Sequence, residues 1–208
     1  MIFILAGLAV MMASGHGVAD TNVLGYIEDS LSVRSWKEMR DEGVVSQRFD
    51  YSCGAASLAS LLNVYDIEAE ETDIIDKIGV KASYSMADLA SASKEYGFKS
   101  VGMKLGYDSL MRLKRPVIAH LDYWGEGHFS LLRGVDKHGV WLADPDWGNT
   151  YMRRAKFESH WYSEGGAKGK ILALLPTAEN IADNPGNDME LPSRARLAIP
   201  PHPALHMP

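Results

Sequence analysis

Apolar residues recur with one spacing in the first half of the chain and another in the second. Over 53–65, CGAASLASLLNVY is apolar or small on nearly every face. A helix of that kind is buried all round rather than along one stripe. The preceding stretch, 45–52 (VSQRFDYS), has no period and reads as an extended or turn segment. Over 68–78 acidic residues come first, with Ile74, Ile75 and Ile78 behind them, which predicts an amphipathic second helix. Ser85 and Asp88 make a capping-box-like start for a third helix, and Gly97 supplies its stop. A short helix is predicted over 108–114, ended by Pro116. Beyond it the runs shorten and become strand-like: 116–121 (PVIAHL), 128–135 (HFSLLRGV), 140–144 (VWLAD) and 170–175 (KILALL). Gly-containing turns, GEG and KHG, punctuate them. Helices followed by an antiparallel sheet make an α+β layout, with the buried helix packed on the sheet. No internal repeat is present.

The two ends do not follow this scheme. Residues 2–12, IFILAGLAVMM, are apolar but too few to span a bilayer, which takes ~20. The run fits the ~7–15-residue core of a secretory signal, although no Lys or Arg precedes it. Gly17 and Ala19 before Asp20 give the small-x-small pattern of a cleavage site. The expectation is a signal peptide at 1–19 and an exported, periplasmic protein, membrane-associated only if the segment stays uncleaved. The only Cys lies far downstream of that site, which argues against a lipoprotein. At the other end, 176–208 holds seven of the nine prolines and shows neither helical nor strand period, so a disordered tail is expected. The folded domain is then 20–175, an ordinary single-domain size.

Composition narrows the function. With 46% hydrophobic and 23% charged residues, the 208-residue chain is an ordinary globular protein. A formal net charge of -6 and no Lys/Arg block argue against a nucleic-acid binder. A single cysteine, Cys53, excludes an intramolecular disulfide and a Cys-rich metal framework.

The place of that cysteine is informative. A lone Cys is most often buried and inert. Cys53, however, opens the buried helix, where the macrodipole and the unpaired N–H groups favour the thiolate. Gly54 and Ala55 keep the first turn small, leaving room for a substrate backbone. In an exported protein the odd thiol serves either as a nucleophile or in intermolecular pairing. A nucleophile needs a base. His16, His202 and His206 fall in the end segments, His138 in a turn, His160 on a short segment beside Trp161 and His120 in the first strand. His128, opening the next strand after a flexible Gly-Glu-Gly, is the best candidate, although a lone histidine there is more often structural. If 128–135 and 140–144 form a hairpin, Asp144 at its far end is a near neighbour of His128 and a candidate to orient the ring. Gln47, on the approach to the helix, is a candidate oxyanion donor alongside the Cys53 backbone N–H.

With these residues in order, the stretch QRFDYSCGAASLASLLNVY resembles the N-terminal motif of the bacteriocin-processing, double-glycine peptidase family of papain-like cysteine peptidases. GHFSLLRGV and GVWLADPDWGN resemble that family's His strand and Asp-Pro turn, and SYSMADLASASKEYGFKSVGMKL its middle, a helix, a Gly-containing turn and a strand. The resemblance covers about 44–165. It implies a helix carrying the nucleophile on an antiparallel sheet, Cys53 as nucleophile, His128 as general base and acid, Asp144 as orienting residue and Gln47 as oxyanion donor, with no metal and no cofactor. Ser52 stands where transporter-linked members often have Asp. Many members are the N-terminal domains of peptide-exporting ABC transporters, but this sequence holds no GxxxxGK[ST] phosphate loop. It therefore resembles the stand-alone, exported branch, acting on a peptide or protein substrate. Trp124, Trp147 and Tyr123 flank the His and Asp loops and are candidates either to line the substrate cleft or to pack the loops.

Other readings of the same residues are an amidase or acyl transferase using the thioester, a peptide-binding module with a vestigial site, and a zinc site. Cys53, His128 and Asp144 lack the spacing of metal ligands.

Overall fold

A computed structural model describes residues 35–123, 125–162 and 166–175. The expected signal (1–19), the expected tail (176–208) and Trp124 lie outside the described residues.

The first described element is a short helix, α1 (Trp36–Asp41), started by a capping box between Ser35 and Glu38. Three helices follow: α2 (Cys53–Val64), α3 (Glu71–Ile78) and α4 (Met86–Glu95). The capping box at Ser85 and Asp88 forms as the residue types predict, and the chain leaves α4 through Gly97 at φ 81°. The remainder is β1 (Lys99–Leu105), α5 (Tyr107–Leu110), β2 (Val117–Tyr123), β3 (Glu126–Val135), β4 (Gly139–Asp144), β5 (Gly148–Arg153), α6 (Arg154–Trp161) and β6 (Gly169–Leu175). The short helix expected at 108–114 is thus a single turn, because a turn takes over at Met111 before the proline is reached.

Among the described residues the sheet has six strands in the order β1-β6-β2-β3-β4-β5, every pairing antiparallel. Strands β2, β3, β4 and β5 form a meander of consecutive hairpins. The β3/β4 ladder runs from Val135↔Val140 to Leu131↔Ala143 and shifts register between Leu132 and Gly134.

Alternation along the strands divides the apolar side chains between two cores. Ile118, Phe129, Leu131, Ala143 and Leu172 meet α2 and, through it, α3 and α4. Ala119, Leu121, Leu132, Leu142 and Ile171 meet α5 and α6 on the opposite face. Helices therefore cover both faces of the sheet. Helix α2 is enclosed as its all-round apolar sequence requires: Leu58, Leu61 and Leu62 have no exposed surface. Each such side chain contributes about 1.5–3 kcal/mol of burial free energy. The two hydroxyls in this helix are satisfied. Ser57 Oγ donates to the Phe129 carbonyl at 3.0 Å, and Ser60 Oγ accepts from the Val45 N–H at 2.8 Å.

Gly54 has a different role from the one its position suggests. A Cβ there would lie 3.1 Å from Phe129 Cδ2 and 3.2 Å from Leu89 Cδ2. Its small size lets α2 pack between strand and helix and does not open space for substrate.

Candidate active site

Three elements converge at one end of the sheet. Cys53 is the first residue of α2, His128 lies near the start of β3, and Asp144 closes β4. The β3/β4 hairpin carries His128 and Asp144 to within bonding distance, although they are 16 residues apart in sequence. His128 Nε2 lies 2.9 Å from Asp144 Oδ2. The other Asp144 oxygen, Oδ1, accepts from the backbone N–H groups of Asp146 (3.0 Å) and Trp147 (3.2 Å). Asp144 is fully buried, and its oxygens are held by the ring on one side and by its own turn on the other. Such a carboxylate is fixed in orientation before any substrate arrives.

The Cys53 side chain is close enough to His128 to raise the ring's pKa. Burial pulls the His128 imidazolium toward deprotonation. The Asp144 carboxylate, and then the Cys53 sulfur, more than offset this and hold it up to about 10. The protonated ring is an acid positioned beside the sulfur at the head of α2. The backbone at Cys53 supports the same chemistry. Ser52, the residue preceding the helix, does not cap it with its side chain, so the first-turn N–H groups of α2 are not taken by that hydroxyl.

Gln47 reaches the site through its backbone. Its N–H donates to the Pro145 carbonyl at 2.9 Å, which docks the loop before α2 against the turn that follows Asp144. Its side-chain Nε2 makes only a long contact, 3.4 Å, to the Phe49 carbonyl, and its Oε1 is buried without a hydrogen-bond partner.

Two of the three aromatic candidates surround the imidazole. The Tyr123 ring centroid lies 5.4 Å from that of His128 and 5.5 Å from that of Trp147. Trp147 stacks on His128 at 6.2 Å. Burial, with Asp144 adding to it, pushes the Tyr123 hydroxyl well above the usual phenol range, so it stays neutral. His160 also belongs to this wall: its ring is 4.7 Å from Tyr123, and its Nδ1 lies 3.0 Å from the Asp122 carbonyl. Nothing in the residues around His160 signals this packing role in the sequence. His120 packs against Phe129 at 4.9 Å, and burial lowers its pKa. Among the described residues, no cluster of three or more His, Cys, Asp or Glu side chains is spaced to hold a metal ion.

The chain is 32% identical over 152 residues to the probable functional amyloid protease FapD of Pseudomonas fluorescens, an alignment covering 69% of this chain and 65% of that protein's length. Among solved structures it superposes on the peptidase domain of Streptococcus ComA, a bi-functional ABC transporter involved in a quorum-sensing pathway. The TM-score is 0.57 at 23% identity, over 64% of this chain and 98% of that one. A double-glycine-motif protease from an AMS/PCAT transporter, solved in complex with the leader peptide, gives the same TM-score at 24% identity, over 64% of this chain and 91% of the other. These structures share the papain-like arrangement of a cysteine helix on an antiparallel sheet. The model of the peptidase C39 family matches residues 41–165, more than half of the sequence, and so the chain belongs to that family of cysteine peptidases.

Proposed function

We propose that this chain is a thiol endopeptidase that cleaves a peptide or protein outside the cytoplasm. The observation that carries the reading is the His128 ring bonded to the Asp144 carboxylate at 2.9 Å, with the Cys53 side chain near enough to raise the ring's pKa. In the proposed reaction the Cys53 thiolate attacks the scissile carbonyl carbon. The developing oxyanion accepts hydrogen bonds from the Cys53 N–H and the Gln47 side-chain amide. The His128 imidazolium then gives its proton to the leaving amine, and the C–N bond breaks to leave a thioester on Cys53. A water molecule deprotonated by His128 attacks the thioester, releases the acid product and restores the thiol. Asp144 keeps the ring in the orientation both steps need. Tyr123 and Trp147 would form the wall against which the substrate lies.

The apolar run at 2–12 and the small residues before Asp20 support export. The likeness to FapD, a probable functional amyloid protease, makes an amyloid-forming protein the favoured substrate class over a Gly-Gly leader.

The test is a proteome-derived peptide library incubated with the full chain and with Cys53→Ala, with new termini read by mass spectrometry. The expected result is a defined set of cleavages made by the wild type alone. Equal cleavage by both proteins would sink the reading, and aminolysed products in the presence of added amine would move the reaction to acyl transfer. N-terminal sequencing of the protein recovered from the periplasm, expected to begin at Asp20, tests export.

A further inference from the structure

We propose that Glu71 is a positioning residue that sets the distance between the Gln47 amide and the Cys53 nucleophile. This rests on the peptidase reading above. Glu71 lies outside the catalytic group, as the first residue of α3, and is 1% exposed. A carboxylate this deep is costly unless its oxygens are bonded. Its Oε1 accepts the Arg48 backbone N–H at 2.8 Å and receives the Ser52 hydroxyl in a short contact. Its Oε2 has no hydrogen-bond partner and is approached by the Arg48 guanidinium at 3.9 Å.

The two groups bonded by that single oxygen are the two ends of one loop. Arg48 follows Gln47 directly, and Ser52 directly precedes Cys53. Between them the loop closes on itself. The Ser52 N–H donates to the Phe49 carbonyl at 3.1 Å, and the Phe49 N–H donates to Ser52 Oγ at 3.3 Å. Ser52 Oγ also lies 2.7 Å from the Phe49 carbonyl. A hydroxyl has one proton, and the carboxylate is the stronger of its two acceptors. Gln47 is fixed at its outer side by the bond to Pro145, so Glu71 supplies the inner tether. Oxyanion donors work only within a few tenths of an ångström of 2.7–3.1 Å from the oxygen. A displacement of about 1 Å is enough to cost 10²-fold.

The experiment compares Glu71→Ala, Glu71→Gln and Ser52→Ala in the full chain. Turnover is measured on a fluorescence-quenched peptide chosen from the library cleavages, and alkylation of Cys53 by iodoacetamide is measured in parallel. Glu71→Ala should lower kcat about 10–100-fold with KM within about twofold. Alkylation, which uses the Cys53–His128 pair and no oxyanion donor, should stay within about threefold. Glu71→Gln retains an acceptor oxygen and should restore kcat to within about threefold of wild type. Ser52→Ala cuts only the hydroxyl link and should lower kcat by a smaller factor, about 3–10-fold. Wild-type kcat in Glu71→Ala, in an assay where Cys53→Ala is dead, overturns the inference alone. If Glu71→Ala loses turnover and alkylation together because it does not fold, Ser52→Ala decides, and its retaining full kcat overturns the inference. A wild-type chain that cleaves nothing overturns the peptidase reading and this inference with it.

Discussion

Replacing Asp144 by Asn removes one negative charge and changes almost no volume, and the structure shows why the two groups are not equivalent. One carboxylate oxygen faces His128 Nε2 at 2.9 Å, and the other faces two backbone N–H groups, of Asp146 and Trp147. An amide has a single oxygen to serve both sides. Whichever way it turns, an N–H meets another donor, a mismatch of about 1–3 kcal/mol. That corresponds to roughly 10–100-fold in rate. The charge matters as well. Burial pulls the His128 imidazolium down, and without Asp144 only the Cys53 sulfur opposes it. A charge-assisted hydrogen bond of about 1.5–3 kcal/mol corresponds to a downward shift of about 1–2 pH units.

The assay needs no knowledge of the substrate, because Cys53 is the only cysteine and its alkylation is unambiguous by mass. Between about pH 8 and pH 10 iodoacetamide should label Asp144→Asn more slowly than wild type, because there the ring keeps its proton in the wild type alone, whereas at pH 6 it is protonated in both and the rates should agree. Above pH 10, where His128 loses its proton in both proteins, the two rates should converge. The alkaline limb of peptide turnover should move to lower pH in the variant. Stability follows the same sign. The folded value of His128, about 10, exceeds its ordinary 6.5, so the folded state holds the extra proton between them. The stabilisation is complete below pH 6.5 and is lost as pH rises toward 10. The stability gap between wild type and Asp144→Asn should therefore be widest below pH 6.5 and narrow by pH 10 in denaturant titrations. A variant that follows the wild type in both labelling and stability across this range would refute the account of the Asp144–His128 pair.

Gly54→Ala brings a methyl to 3.1 Å from Phe129 and 3.2 Å from Leu89, so it should destabilise by about 1–3 kcal/mol in urea titrations. An unchanged midpoint would show that the core yields there at no cost. Ser52→Asp sets a second carboxylate against buried Glu71, a repulsion of about 4 kcal/mol at an effective dielectric of 20 unless a proton is taken up. Its stability should recover as pH falls through the carboxylate range, and a pH-independent loss would contradict the like-charge explanation. Trp147→Ala removes the ring stacked on His128 and should raise KM several-fold more than it lowers kcat, as read from steady-state turnover of the quenched peptide.

The α2 helix and the β3/β4 hairpin are legible in the sequence because burial writes a strong local pattern there. The hairpin alone places Asp144 beside His128, with no need of long-range information. The joining of Cys53 to that pair is not local; in the sequence it follows from a nucleophile's need of a base and from the family resemblance, not from any hydrophobic pattern. β1 is read only through the same resemblance. An edge strand with most of its residues exposed, Lys99–Leu105, has no reason to alternate. β5 (GNTYMR) is similarly weak, and α6 carries little amphipathic pattern even though Phe157 and Trp161 anchor it. Glu71 could not be found in the sequence, since an acid in the first turn of a helix is the ordinary dipole-favoured choice. Only burial reveals that its carboxylate serves another loop. Gly54 was legible as a close approach, but its partners are Phe129 and Leu89 and not a ligand.

The strand order has a bearing on synthesis. Among the described residues β6 is the last strand in sequence, yet it lies inside the sheet, between β1 and β2, and there it is the sole partner of β1. A nascent chain ending before Gly169 thus has its thiol, imidazole and carboxylate all translated. It lacks the strand that joins the two parts of the sheet and completes the floor beneath α2 through Leu172 and Leu174. The sheet beneath α2 therefore closes only after β6 has been made, well after Cys53, His128 and Asp144 have all been translated.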